Sequence, residues 1–149
     1  MSRVPCPEKI KYTWEQYAHD MEFIHAAYQG YKFDHVVGIY RGSLGMAAHI
    51  SNLFNIQMSI IGYQTRNGTD KIPYWILNKM SPRHTKKVLV VDDIYDTGKT
   101  MKEVINLVEG TEPVDTLGYV LFGSSGNNEH DIFFCNQHDG SWIEFPWER

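Results

Sequence analysis

The sequence predicts an α/β fold: a central, mostly parallel twisted sheet flanked by helices, with a small hood from the C-terminal strands and N-terminal residues. Two observations predict it. Short apolar, β-branched runs alternate with segments of helical periodicity, in the order helix, strand, loop, helix, strand, which suits a right-handed parallel crossover. The length of 149 residues fits one domain, enough chain to bury about two-thirds of its unfolded surface. Within that single domain, 1–149, the core spans about 13–126 and the hood about 127–149.

Each element has its own signal. Thr13-Trp14-Glu15-Gln16 has the form of a capping box, and Trp14, Tyr17, Met21, Ile24 and Tyr28 follow at helical spacing up to a stop at Gly30. Residues 35–40 read as a buried strand, broken by Arg41-Gly42-Ser43-Leu44-Gly45. Helical periodicity resumes over 46–54, and 57–63 reads as the next strand. Residues 64–86 are polar and irregular around an apolar island at 72–77, which fits a strand pair or a hairpin arm. An excursion of that length between core strands is expected to be a lid. Residues 87–92 give the strongest strand, 100–109 a helix with Met101, Val104, Ile105 and Val108 on one face, and 116–122 another strand. A loop at 123–128, a short strand at 131–135 and an aromatic tail at 142–147 complete the chain.

Composition excludes several classes. A hydrophobic fraction of 42% indicates a packed core and not a disordered chain. A formal net charge of −4 gives no electrostatic footprint for nucleic acid. The one basic cluster, Arg83, His84, Lys86 and Lys87, reads as a solvated strand edge. Cys6 and Cys135 are too few for a metal-ligand set or a disulfide framework, so reduced thiols in a cytoplasmic protein are expected. No signal core and no apolar run of about 18 residues is present, so no membrane span is expected.

The chemistry concentrates in one segment. An apolar run, Val88-Leu89-Val90-Val91, delivers Asp92 and Asp93, then Asp96, to a turn that ends in Thr97-Gly98-Lys99-Thr100 and opens a helix. Carboxylates beyond the carboxyl end of a parallel strand suit sugar hydroxyls and a divalent cation. Hydroxyls and free N–H groups at a helix start suit a phosphate. Consecutive strand residues point to opposite faces, so Asp92 and Asp93 converge on one ligand only if the strand ends at Asp92. Gly98-Lys99-Thr100 also imitates the end of a triphosphate-binding loop, but Asp93 stands where that motif needs its first glycine, and a carboxylate there repels a triphosphate. A second anion site is suggested at Arg41-Gly42-Ser43, where a strand gives way to a helix start and a fixed cation stands beside a glycine.

These residues together resemble a known family. Residues 90–100 look like the phosphoribosyl-pyrophosphate signature of the type I phosphoribosyltransferases. Tyr40-Arg41-Gly42-Ser43 is similar to their pyrophosphate loop, usually Arg-Gly-Gly. The tail Trp142-Ile143-Glu144-Phe145-Pro146-Trp147 resembles the hood of the small xanthine–guanine enzymes. The resemblance implies transfer of a phosphoribosyl group from 5-phosphoribosyl 1-pyrophosphate to a nucleobase, a 6-oxopurine in the first instance, with magnesium as cofactor. It implies that Asp92 and Asp93 hold the ribose hydroxyls and the magnesium, and that Asp96 acts at the reacting carbon. Thr97, Gly98, Lys99 and Thr100 would cradle the 5′-phosphate, and Arg41, Gly42 and Ser43 would contact pyrophosphate. Ile94, Trp142 and Ile143 would frame the base. A non-proline cis peptide in the pyrophosphate loop, a mobile lid over 64–84, and a homodimer or homotetramer belong to the same expectation.

The chain departs from the pattern at two positions. Ser43 replaces a glycine, which is tolerable if its φ stays negative. Gly123 falls where the purine enzymes carry a lysine that binds the oxygen on C6 of the base, and the hydroxyls of Ser124 and Ser125 are weaker, uncharged donors. That departure keeps two alternatives open: an enzyme of the same type acting on another base, and a non-enzymatic sensor of the sugar diphosphate. Arg41, the long excursion and the aromatic tail favour an enzyme, since a sensor needs neither leaving-group stabilisation nor water exclusion.

Overall fold

Thr13 opens the first helix through the expected capping box: its Oγ1 accepts from the Gln16 amide at 3.1 Å, and its own amide donates to Gln16 Oε1 at 2.9 Å. The computed structural model describes residues 9–66, 68, 70–80, 85–95, 98–110, 114–124 and 132–148. Within them the chain runs β1 (Lys9–Lys11), α1 (Trp14–Tyr28), β2 (His35–Ile39), α2 (Leu44–Phe54), β3 (Gln57–Arg66) and β4 (Asp70–Leu77). It continues through β5 (Lys87–Ile94), α3 (Lys99–Glu109), β6 (Asp115–Gly123), β7 (Ile132–Gln137) and β8 (Trp142–Glu144). The first helix does not stop at Gly30. It tightens into a 3-10 turn over Gln29–Tyr31, and the left-handed residue is Lys32 at φ 52°. The extra turn lays the Tyr31 ring on Phe33, with centroids 5.8 Å apart.

Six strands form the main sheet in the order β4-β3-β2-β5-β6-β7. All neighbours are parallel except β3 and β4, which make an antiparallel hairpin. The apolar island at 72–77 is therefore the return arm of that hairpin, and Pro73 is accommodated because β4 is an edge strand. The strand expected over 87–92 runs on to Ile94, since β6 continues to pair with it at Asp92↔Val120 and Ile94↔Phe122.

The sheet buries both faces, as parallel sheets do. Val36, Leu89 and Val91 pack beneath α1 and α2, against Met21, Ile24, Met46 and Ile50. Val37, Val88 and Val90 pack beneath α3, against Met101, Val104, Ile105 and Val108. A Leu- or Ile-sized side chain buried this way stabilises the fold by about 1.5–3 kcal/mol.

The tail is docked. β8 pairs in parallel with β1, joining Ile10 to Ile143, and Ile143 and Phe145 are buried in the first core. Ile132–Gln137 extends the main sheet beside β6, so the small second sheet contains β1 and β8 alone. No helix among the described residues is long and apolar enough to cross a membrane.

Candidate active site

The chain leaves β2 through α2 toward β3 on one side, and leaves β5 through α3 toward β6 on the other. β2 and β5 are neighbours, so the crevice beyond their carboxyl ends is the switch point where ligands of open α/β sheets bind. A cavity of about 790 Å³ opens there. It gathers Asp92 and Asp93 from β5, Lys99 and Thr100 from α3, and Tyr40 and Gly42 from the loop after β2. The hairpin contributes Tyr63 and Lys71.

Asp92 and Asp93 meet in this cavity although β5 does not end at Asp92. The Asp93 carboxylate turns toward Gly42, whose missing side chain leaves it room. The Asp93 amide donates to Asp92 Oδ1 at 2.9 Å, and the Ile94 amide donates to Asp93 Oδ1 at 2.8 Å. Burial, then the charge of Asp93, raises the Asp92 carboxyl well above the usual range. Burial raises Asp93 as well, against the pull of the Asp92 and Ile94 hydrogen bonds.

Gly98 caps α3 at φ 83°, a left-handed conformation that favours glycine, and makes no side-chain cap hydrogen bond; the Tyr95 ring lies against it. Lys99 and Thr100 stand exposed at that helix start. Tyr63 OH donates to the Thr100 carbonyl at 3.3 Å, tying β3 to α3 across the cavity. Asp96 and Thr97 lie outside the described residues.

The Tyr40–Arg41 peptide is cis. Ser43, expected at the pyrophosphate, points elsewhere. Its side chain is fully buried, its Oγ accepts from the Ile39 amide at 2.6 Å, and it lies 2.8 Å from the Ile39 carbonyl and 3.0 Å from that of Val91. Its own amide donates to the Ile39 carbonyl at 3.1 Å. Ser43 thus fastens β2 to β5 and offers no donor to a ligand; its φ of −108° explains why glycine is not required. Arg41 lines a second cavity of about 1000 Å³ on the far side of Gly42, with Trp14, Tyr17, His49 and Trp147.

Of the residues expected at the base, Ile94 is half-buried beside the carboxylates and Trp142 is 61% exposed on β8. The Ile143 side chain is in the core, which leaves only its main chain for a ligand. Neither cavity is lined by Trp142. Gly123 ends β6 and its carbonyl accepts from the His138 amide at 2.8 Å. A Cβ there would lie 3.1 Å from Phe134 Cβ and 3.2 Å from two of its ring carbons, so any side chain at this position crowds Phe134.

The sequence pattern of the phosphoribosyl transferase domain matches residues 14–148, nearly the whole chain. The chain belongs to the phosphoribosyltransferase family. It is 27% identical over 157 residues to the xanthine-guanine phosphoribosyltransferase of Cereibacter sphaeroides, covering 98% of this chain and 90% of the relative. Its fold is similar to the crystal structure of a purine phosphoribosyltransferase from Pyrococcus horikoshii, with a TM-score of 0.76, 25% identity, and coverage of 95% and 94%. A Helicobacter pylori xanthine-guanine-hypoxanthine phosphoribosyltransferase gives the same TM-score of 0.76 at 20% identity, covering 96% and 94%.

In this phosphoribosyltransferase the residues that the sequence did not single out come from the hairpin and from α3. Tyr63, Lys71 and Glu103 line the acidic cavity. Burial, then Glu103 and Asp92, raises the Tyr63 phenol far above its usual range. Only the antiparallel pairing of β4 with β3, which periodicity left open, brings Lys71 there. The carboxylate pair fits a divalent cation: two half-buried neighbouring acids repel each other, and a cation relieves that repulsion. Among the described residues no third His, Cys, Asp or Glu joins them, so substrate oxygens and water would complete the shell.

Proposed function

We propose that this phosphoribosyltransferase moves the phosphoribosyl group of 5-phosphoribosyl 1-pyrophosphate to a 6-oxopurine (hypoxanthine, guanine or xanthine) and releases pyrophosphate, as in nucleotide salvage. The observation that carries this is the cavity at the β2–β5 switch point, which a carboxylate pair shares with the start of α3. The likeness to xanthine-guanine enzymes supports the choice of base. The family resemblance adds cytoplasmic function and a homodimer or homotetramer.

In this reading Asp92 and Asp93 hold the ribose hydroxyls and a magnesium ion. Magnesium, when bound, neutralises charge on the pyrophosphate oxygens. Gly98, Lys99 and Thr100, with Thr97, cradle the 5′-phosphate at the start of α3. Gly42 lets the loop main chain approach the pyrophosphate, and Arg41 reaches it only by turning from the second cavity. The bond from C1 of the ribose to pyrophosphate breaks with its electron pair, and a nitrogen of the base donates a pair to C1. Asp96 stabilises the oxocarbenium-like transition state or accepts the proton released from the base. The hairpin side of the cavity excludes water, which would otherwise hydrolyse the activated sugar.

A second reading, the same reaction with a different base, is favoured by one observation: Gly123 carries no side-chain donor, and Phe134 crowds the position where a base-binding lysine would start. One assay separates the two. The protein is incubated with magnesium, the sugar diphosphate and a panel of bases, while pyrophosphate and nucleotide are measured. Turnover with 6-oxopurines supports the first reading. Turnover with another base alone moves the assignment to that base, and none with any base removes both.

A further inference from the structure

We propose that His138 is the side chain that reads the base, a 6-oxopurine, along its O6 and N1–H edge; the assignment rests on the phosphoribosyl-transfer reading. The strand order says where the base lies. β2, β5 and β6 are neighbours in the sheet, with the Tyr40–Gly42 loop after β2 and the carboxylate pair on β5. A base that displaces pyrophosphate approaches C1 of the ribose from the face opposite the leaving group. With the ribose on Asp92 and Asp93 and pyrophosphate at the Tyr40–Gly42 loop, the base comes in over the carboxyl end of β6, at Gly123. Gly123 brings no side-chain donor or acceptor to it.

His138 is the first residue beyond that end. Gly123 pairs with Gln137, the last residue of β7, and the His138 amide donates to the Gly123 carbonyl at 2.8 Å. The residue is half-buried and its ring is held, with Nε2 3.1 Å from the Ser141 carbonyl. A carbonyl oxygen only accepts, so Nε2 carries a hydrogen and donates it there. The Ser141 amide donates to Asp139 Oδ1 at 2.9 Å, which closes the short loop that leads into Trp142. His138 is thus tied by its main chain to Gly123 and by its ring to the residue before Trp142. Tyr95, just past the end of β5, turns its hydroxyl toward Gly98 and the start of α3 instead. Among the described residues no hydrogen bond engages His138 Nδ1.

The chemistry of Nδ1 suits a 6-oxopurine. In the neutral ring Nδ1 is an acceptor and takes the N1–H of the base; in the charged ring it is a donor and gives its hydrogen to O6. Those two groups are adjacent on the base, so one nitrogen meets the edge in either state, whereas a lysine ammonium only donates. His138 holds the base and takes no part in breaking or making the bond to C1. Losing such a hydrogen bond, with its partner left unsatisfied, weakens binding about tenfold.

The test measures the KM of hypoxanthine and of sugar diphosphate, and hypoxanthine binding by calorimetry with magnesium and pyrophosphate present, in wild type, His138→Ala, His138→Asn and His138→Gln. Asparagine keeps a polar group at the position of Nδ1, and glutamine keeps one at the position of Nε2. His138→Ala and His138→Gln are expected to raise the hypoxanthine KM and Kd about tenfold and leave the sugar-diphosphate KM within about twofold; His138→Asn recovers most of the loss, and all three melt like wild type. Hypoxanthine constants within about twofold of wild type in His138→Ala overturn the assignment. So does recovery by His138→Gln and not by His138→Asn, which makes the ring an anchor for the loop through Ser141. If wild type turns over no base but binds hypoxanthine, and His138→Ala weakens that binding, the transfer reading fails and the His138 site stands. No hypoxanthine binding by wild type overturns the His138 assignment whatever the turnover.

Discussion

The carboxylate of Asp93 occupies the space that a side chain on Gly42 would need. Two segments separated in sequence are thereby fitted to each other at the switch point, one carrying acids and the other carrying none of its own bulk. Gly42→Ala should push the Asp93 carboxylate off its position. Misplacement of about 1 Å in such a site costs on the order of a hundredfold in rate. The expected outcome is a rise in the KM for sugar diphosphate and a fall in kcat, with a melting temperature near wild type. Steady-state kinetics with a thermal melt checks it, and kinetics like wild type would separate Gly42 from the acid pair.

The proposed mechanism puts Asp96 at the reacting carbon and gives the ribose to Asp92 and Asp93. Asp96→Asn should then leave sugar-diphosphate binding intact and lower kcat by about 10²–10⁴-fold, the range of a lost general base or charge stabiliser. Calorimetric binding beside turnover measures both. Unchanged turnover removes Asp96 from the mechanism.

Phe145 and Trp142 stand three residues apart in the tail and should behave oppositely. Phe145 is 1% exposed, stacked on Trp147 at 4.9 Å and edge-on to Tyr12 and Phe122. Phe145→Ala should cost about 3–5 kcal/mol by leaving a cavity in the core. Trp142→Ala, at an exposed site, should change stability by about 0.5 kcal/mol or less while raising the KM for the base. Urea unfolding with base kinetics on both variants tests the division.

His35 is buried at the start of β2, with Nε2 2.6 Å from Ser59 Oγ. Burial lowers its pKa, outweighing the nearby Asp34. The unfolded chain therefore takes up a proton that the native ring resists. The stability is present above the ordinary histidine pKa of about 6.5 and is lost as pH falls below it. His35→Gln should flatten the fall in melting temperature between about pH 7 and pH 5. Melts of both proteins across that range provide the check, and equal slopes would exclude His35.

The elements legible in the sequence are those whose signals are local. Thr13 with Gln16, the helical spacing of Met101, Val104, Ile105 and Val108, and the apolar run into Asp92 each need only a few neighbouring residues. What escaped depends on partners far along the chain. Ser43 looked like a ligand-binding residue of a loop, yet its hydroxyl bridges to Val91, 48 positions away. β5 was expected to stop at its first acid, but Val120 and Phe122 of β6 extend it. Lys71 carried no motif, and only the β3–β4 register brings it to the cavity. Arg41 was legible as a cation beside a glycine, but the choice between two cavities depends on Trp14, Tyr17 and Trp147 from opposite ends of the chain.

The parallel pair of Ile10 with Ile143 sets a schedule for biosynthesis. All of β2, β5, β6 and α3 lies between those residues, so the sheet and the phosphate end of the cavity assemble from chain that emerges before Ile143. β1 therefore waits unpaired until Trp142–Glu144 has left the ribosome. A nascent chain thus passes through a stage with Asp92 and Asp93 in place and the β1–β8 pair unmade. Trimming either end afterwards unties the same two strands.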